Sequence, residues 1–221
     1  MDLIRARSNM IEQQVRPWDV LDQRVLDVLS DVPREAFVAP GHRGVAYSDF
    51  ALPIGHGQRM LKPTVDGPLL QALVPRDTDR VLEIGTGSGY LSACLARLSA
   101  GCETLEIVPE LARSARERLG ALGVANVTVR EADGADDAGE RDAYEAILLG
   151  GSVAEVPERH LRRLAVGGRL VAVVGRANGP TMEAVLHTRV HAEEWATESL
   201  FDTRLEPLVN FPGGAPAAFV F

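Results

Sequence analysis

Arg80-Val-Leu-Glu-Ile-Gly-Thr-Gly-Ser-Gly-Tyr90 decides the fold. An apolar strand at 80–84 runs into glycines at alternate positions, and a helical apolar pattern follows at Leu91, Cys94, Leu95 and Leu98. Strand, glycine-rich turn and helix open a nucleotide-binding crossover unit. The glycines let the backbone turn tightly and approach a ligand where a Cβ would clash. Their spacing narrows the ligand. A dinucleotide turn wants glycine at its first, third and sixth places, and the sixth here is Tyr90. A phosphate-cradling loop needs Gly-Lys-Ser/Thr, and no Lys stands nearby.

Glu83-x-Gly85-x-Gly87-x-Gly89 instead resembles motif I of the S-adenosyl-L-methionine-dependent methyltransferases. The residues downstream fit the same ligand. Gly101-Cys-Glu-Thr-Leu-Glu106 reads as the second strand, and its terminal Glu106 lies 21 positions after Gly85. An acid there, at the C-terminal end of the neighbouring strand, can accept both ribose hydroxyl protons. A third strand, Asn126-Val-Thr-Val-Arg130, leads into Asp133-Gly134, where a carboxylate can accept from the adenine amino group. Asp-Gly is also an ordinary turn dipeptide. Its meaning here comes from sharing the strand ends, where open α/β sheets bind ligands, with the other two positions.

The 221 residues suffice for one domain of this class with an N-terminal extension. With 46% hydrophobic and 24% charged residues, the composition is that of a soluble globular protein. The net charge of −8, without a basic run, argues against nucleic acid as a partner. No stretch approaches a membrane span, and the first residues lack the apolar core of a secretion signal. Cys94 and Cys102 read as small buried hydrophobes, and a reducing cytoplasm is expected. His187 and His191 have metal-like spacing, but their segment reads as a strand and no third ligand accompanies them, so no metal site is expected.

Two parts are expected, 1–78 and 79–221, forming one structural unit. In the first, 2–15 is helical and stopped by Arg16-Pro17; Asp19 or Asp22 caps a second helix with Val25, Leu26, Val28 and Leu29 on its apolar stripe; Pro33–Phe37 starts a third. A long irregular stretch, 46–63, precedes a helix at 64–73, and long irregular stretches in compact domains are commonly functional. In the second part, strands are expected at 144–149 and 168–175, a helix at 157–164, an antiparallel pair at 181–190 and 196–201, and a short closing segment at 205–209. The tail from Pro212 reads as disordered.

Val32-Pro-Arg-Glu-Ala-Phe-Val38, Ala46-Tyr47 and Leu52-Pro-Ile-Gly-His-Gly-Gln58 resemble the N-terminal part of protein-L-isoaspartate O-methyltransferases. So do Val81 to Tyr90, Glu106-Ile-Val-Pro-Glu-Leu111 and Gly167-Gly-Arg-Leu170. The resemblance spans nearly the whole chain. It implies a doubly wound, mostly parallel, seven-stranded α/β sheet of the Rossmann-like class I methyltransferase type, with an N-terminal helical extension. It implies S-adenosyl-L-methionine as cofactor and isoaspartyl residues of damaged proteins as methyl acceptors. For the cofactor it implies Gln58, Met60, Glu83, Gly85, Thr86, Gly87, Gly89, Tyr90, Glu106, Ile107, Asp133 and Gly134. For the substrate it implies Ile54, Gly55, His56, Arg59 and Leu61.

One departure matters. The family continues Gln-Thr-Ile-Ser-x-Pro after this loop, whereas the chain reads Gln58-Arg-Met-Leu-Lys-Pro63. Arg59 stands at the Thr position and Leu61 at the Ser position often assigned to the active site, so no catalytic residue is assigned. The chemistry tolerates the loss. A carboxylate, with an unperturbed pKa near ~4, is already a nucleophile at neutral pH and needs no general base for attack on a sulfonium methyl group. Orientation and exclusion of water would carry catalysis. Arg59 and Lys62 are candidates to hold an anionic acceptor, or are simply solvated loop charges. His56 either lines the site or pins the loop. Two alternatives stay open: a different small-molecule or peptide acceptor, and a non-catalytic S-adenosyl-L-methionine-binding protein.

Overall fold

In the computed structural model, which describes residues 2–136, 139–176, 179 and 181–212, the chain begins with α1 (Leu3–Met10), capped by Asp2, whose carboxylate accepts from the Arg5 backbone N–H at 3.1 Å. Helical backbone does not stop at Arg16-Pro17. It continues through a π-type turn at Ile11–Val15 into a 3₁₀ turn at Arg16–Trp18, which ends at Asp19 with φ 57°. Pro17 sits at the start of that turn, where its missing N–H is tolerated. Asp22 caps α2 (Gln23–Asp31) by accepting from Arg24 N at 2.9 Å, and the stripe Val25, Leu26, Val28 and Leu29 is buried.

The stretch expected to be irregular contains a hairpin. β1 (Leu52–Gly55) pairs antiparallel with β2 (Gln58–Met60) across His56 and Gly57. Both turn residues have positive φ, 53° and 71°, as a two-residue type I′ turn requires. Its strands are short and one position of the turn is His, so the usual hairpin signal is missing. α3 (Pro63–Leu73) follows, with Pro63 at its first position.

The second part alternates strand and helix: β3 (Arg80–Ile84), α4 (Tyr90–Leu98), β4 (Gly101–Glu106), α5 (Pro109–Ala121), β5 (Val127–Glu131), β6 (Tyr144–Val153), α6 (Glu158–Leu161), β7 (Leu164–Val174), β8 (Met182–His191) and β9 (Glu194–Thr203). Among the described residues these strands form one seven-stranded sheet ordered β5-β4-β3-β6-β7-β8-β9. Pairing is parallel as far as β7, and β8 runs antiparallel to both its neighbours. The chain moves outward from β3 to β5, then returns to place β6 on the other side of β3. That reversal makes the C-terminal ends of β3 and β6 the switch point, where ligands of open sheets bind.

Two details differ from expectation. β6 runs past Leu149 to Val153 through an irregular register at Gly150-Gly151, and α6 is a single turn shorter at both ends than the 157–164 pattern suggested. The closing segment is present as a bridge: Pro207 pairs with Ser152, with Ser152 N to Glu206 O and Leu208 N to Ser152 O both at 2.9 Å. Beyond Pro212 the expected tail lies outside the described residues.

Alternation along β3 sends Val81 to one face of the sheet and Leu82 and Ile84 to the other. On the first face, Met10, Phe37 and Leu69 of the N-terminal part pack in one cluster with Val81, Tyr90 and Leu95. On the second, Leu82 and Ile84 pack with Ile147, Leu164 and Leu170. Cys94 and Cys102 are buried free thiols.

Candidate active site

The site begins where β3 ends. Gly85, Gly87 and Gly89 have φ of 95°, 53° and 87°, a left-handed region closed to most side chains, so the turn depends on its glycines. Gly89 caps α4. Gly150, arriving from β6, packs so closely that a Cβ there would lie 2.7 Å from the Gly85 carbonyl oxygen. The switch point is therefore closed backbone against backbone.

Three carboxylates surround this turn in different states. Glu106, at the end of β4, is 5% exposed; its Oε2 accepts from Gly87 N at 2.8 Å and its Oε1 from Val108 N at 2.9 Å. Burial pushes its carboxyl above the usual range, and the backbone N–H groups of Val108, Gly87 and Ile107 pull back. Asp133 accepts from Ala135 N at 2.8 Å and from the Asn210 side-chain amide at 2.6 Å. Gly134 packs on β3, where a Cβ would meet Ile84 Cγ2 at 2.3 Å. Glu83 is fully enclosed beneath the turn; its Oε2 accepts from the Ser92 hydroxyl and, at 2.7 Å, from that of Thr104, which also pairs with Thr86 at 2.7 Å. Burial lifts the Glu83 carboxyl to about 7.

A cleft of about 380 Å³ lies over these strand ends. It brings together Ile54, Gln58, Arg59, Leu61, Gly85, Gly87, Glu106, Ile107, Asp133 and Gly134, ten of the residues singled out in the sequence. Met60, Glu83, Thr86 and Tyr90 line a smaller adjoining pocket of about 40 Å³ instead. Gly55, His56 and Gly89 line neither: Gly55 and His56 form the exposed hairpin tip, and Gly89 faces α5, where its Cβ would meet that of Ala115 at 3.2 Å. The hairpin lies over the glycine turn, with Ile54 Cδ1 placed 3.1 Å from where a Gly87 Cβ would be. Arg59 is braced by a 3.2 Å hydrogen bond to Ala51 O, and Lys62 also faces the cleft.

Sequence reasoning missed Arg34 and Asp66. Arg34 is buried and ties four segments together: its Nε donates to Ala46 O at 2.7 Å, Nη1 pairs with Asp66 Oδ2, Nη2 donates to Leu61 O, and its guanidinium stacks 4.8 Å from the Tyr90 ring centroid. The signal available was an acid in the otherwise apolar run Val65-Asp-Gly-Pro-Leu-Leu70. The far wall, Pro207 and Leu208 from the closing segment, was missed as well, as was Asn210, which holds Asp133; Leu208 Cδ2 lies 2.9 Å from where a Gly85 Cβ would be.

A mostly parallel sheet of this order, with a glycine turn on its first strand and acids at the ends of the next two, defines a class I methyltransferase fold. A crystal structure from Plasmodium falciparum, described as a protein-L-isoaspartate O-methyltransferase in complex with S-adenosyl-L-homocysteine, shares that fold with a TM-score of 0.78 at 21% identity, over 94% of this chain and 98% of its own. The family model for protein-L-isoaspartate(D-aspartate) O-methyltransferase matches residues 5–210. Protein-L-isoaspartate O-methyltransferase 1 of Rhodopseudomonas palustris is 39% identical over 96% of this chain and 86% of its own length. Protein-L-isoaspartate O-methyltransferase 2 of Pelobacter propionicus is 41% identical over 94% and 92%. The chain belongs to the protein-L-isoaspartate(D-aspartate) O-methyltransferase family.

Proposed function

We propose that this chain transfers a methyl group from S-adenosyl-L-methionine to the free carboxylate of isoaspartyl residues in proteins and peptides. The observation that carries the reading is Glu106. Each of its oxygens accepts one backbone N–H, which leaves lone pairs on both for the two hydroxyls of a ribose. Asp133 and Gly134 receive the adenine edge at the next strand end, while Gln58, Met60, Thr86, Tyr90 and Ile107 complete the cofactor's surroundings with the glycine turn. When bound, the cofactor supplies an electrophilic sulfonium methyl group.

The chain's own part is to orient the acceptor and exclude water. The acceptor carboxylate is ionised at neutral pH, so no side chain has to remove a proton. Arg59, held by Ala51, presents a planar fork that fits a carboxylate, with Lys62 beside it. Ile54 and Leu61 supply an apolar wall, and Gly55 and His56 meet the peptide at the hairpin tip. Residues 1–78 and 79–221 act as one unit, joined through the shared core. The buried free cysteines suit a reducing compartment, so the reaction is assigned to the cytoplasm; no helix among the described residues is long and apolar enough to cross a membrane. The net charge of −8 favours protein over nucleic acid as partner.

Leu61, which places a hydrocarbon in the cleft where the family has a hydroxyl, favours one second reading, a more apolar methyl acceptor. Transfer of labelled methyl from S-adenosyl-L-methionine to an isoaspartyl peptide, against the matching aspartyl peptide, separates the two. Base-labile label on the isoaspartyl peptide alone is the expected result. A folded protein that binds cofactor yet leaves that peptide unlabelled refutes the acceptor assignment.

A further inference from the structure

Asp66, on the first turn of α3, is 1% exposed. Arg34 engages Oδ2, but Oδ1 has no hydrogen-bond partner among the described residues although it is fully buried. A buried carboxylate oxygen left without a donor is costly, so such a group calls for an explanation. Asp66 is a wall of the 40 Å³ pocket beside the main cleft, together with Glu83, Thr86 and Tyr90, and the two spaces meet at Ile54, Arg59, Leu61, Gly85, Gly87 and Gly150, which line both. That volume holds one group about the size of a water molecule or an ammonium ion.

Two acids, Asp66 and Glu83, and one cation, Arg59, line this pocket, while Arg34 pairs with Asp66. The Asp66 charge contributes to the raised Glu83 carboxyl. What Oδ1 lacks is a donor: an entering ammonium would supply it, whereas an entering carboxylate would set lone pair against lone pair.

We infer that Asp66 Oδ1 receives the α-ammonium group of the amino-acid end of the cofactor, in the small pocket beneath the acceptor hairpin. The inference rests on the cofactor reading above. S-Adenosyl-L-methionine carries its primary ammonium at the end opposite the adenine, which matches a pocket opening from the glycine turn rather than from Asp133. Because Arg34 holds both Asp66 and the Leu61 carbonyl, the group that takes the ammonium is also wired to the hairpin's exit.

The test is calorimetric titration with S-adenosyl-L-homocysteine and with its des-amino analogue, on the wild-type protein and on Asp66→Asn. The amide keeps an oxygen for Arg34 and removes the charge. The wild type is expected to bind the des-amino analogue roughly 10- to 100-fold more weakly, the value of a hydrogen bond to a charged group. Asp66→Asn is expected to lose a similar factor for S-adenosyl-L-homocysteine while binding the analogue as the wild type does. Equal wild-type affinity for both ligands overturns the inference even if the variant fails to fold. Equal weakening of both ligands by Asp66→Asn also overturns it, leaving Asp66 as a support for Arg34. Absence of binding by either ligand to the wild type overturns the cofactor reading itself and this inference with it.

Discussion

Replacing Glu83 by Gln isolates the cost of keeping a charge under the glycine turn. Glu83 is 1% exposed, and the hydroxyls of Ser92 and Thr104 donate to the same oxygen, Oε2. A Gln amide oxygen in that place accepts both protons without a charge. Burial raises the Glu83 carboxyl from its ordinary 4.5 to about 7. Because the shift is upward, the folded protein holds this proton more tightly than the unfolded chain. The linked stabilisation is therefore fully present below about pH 4.5 and is lost as pH rises through about 7. At ~1.4 kcal/mol per unit, a shift of roughly 2.5 units amounts to ~3 kcal/mol. Glu83→Gln is thus expected to match the wild type below about pH 4.5 and to exceed it by an amount that grows to ~3 kcal/mol at about pH 8. Urea unfolding of both proteins between about pH 5 and pH 8 measures the difference, and the other titrating groups cancel in it. A gap that stays constant with pH, or one in which the variant becomes the weaker protein as pH rises, refutes the reasoning.

The remaining expectations concern binding and turnover. Glu106→Gln must turn its amide nitrogen toward either Gly87 N or Val108 N, both donors, so affinity for S-adenosyl-L-homocysteine should fall by the ~1.5–3 kcal/mol of a charge-assisted bond; unchanged affinity in calorimetry removes Glu106 from the ribose. Leu61→Ser should raise turnover on an isoaspartyl peptide. It should cost no more than about 2 kcal/mol in thermal unfolding because Leu61 is only partly buried, and a folded variant with no gain in turnover points to a rebuilt acceptor site. On adding S-adenosyl-L-homocysteine, the 52–60 hairpin should gain hydrogen-exchange protection together with the glycine turn; protection of the turn alone ends the idea that the hairpin closes over the ligand.

What could be read from the sequence followed local chemistry. Gly85, Gly87 and Gly89 declared a turn with positive φ, and Glu106 and Asp133 declared themselves by falling at successive strand ends. The β1–β2 hairpin was hidden because three- and four-residue strands carry almost no alternation, and His56 is a poor advertisement for a left-handed turn residue. The continuation of β6 was hidden because Gly150-Gly151 reads as a stop, whereas the sheet uses those glycines to bring β6 against the Gly85 turn. Arg34 and Asp66 lie 32 positions apart, and no periodicity links them; only packing of the N-terminal helices on α4 makes them partners. Nothing in the sequence hinted at the hydroxyl partners of Glu83. Its place in the motif suggested ligand contact, and the structure puts its carboxylate on the hydroxyls of Ser92 and Thr104, at the wall of the small pocket.

The antiparallel end of the sheet has a consequence for how copies of the molecule treat one another. Among the described residues β9 is the outer strand, ten residues long, and unpaired backbone groups along such an edge invite a second chain to add on. Glu194 and Glu198 are exposed four positions apart along it, on one side of the strand by simple alternation. Two copies meeting edge to edge would bring these carboxylates into one crowded row, and like charges across a strand pair oppose pairing. The same acidity that contributes to the net charge of −8 thus guards the rim of the sheet against runaway self-association.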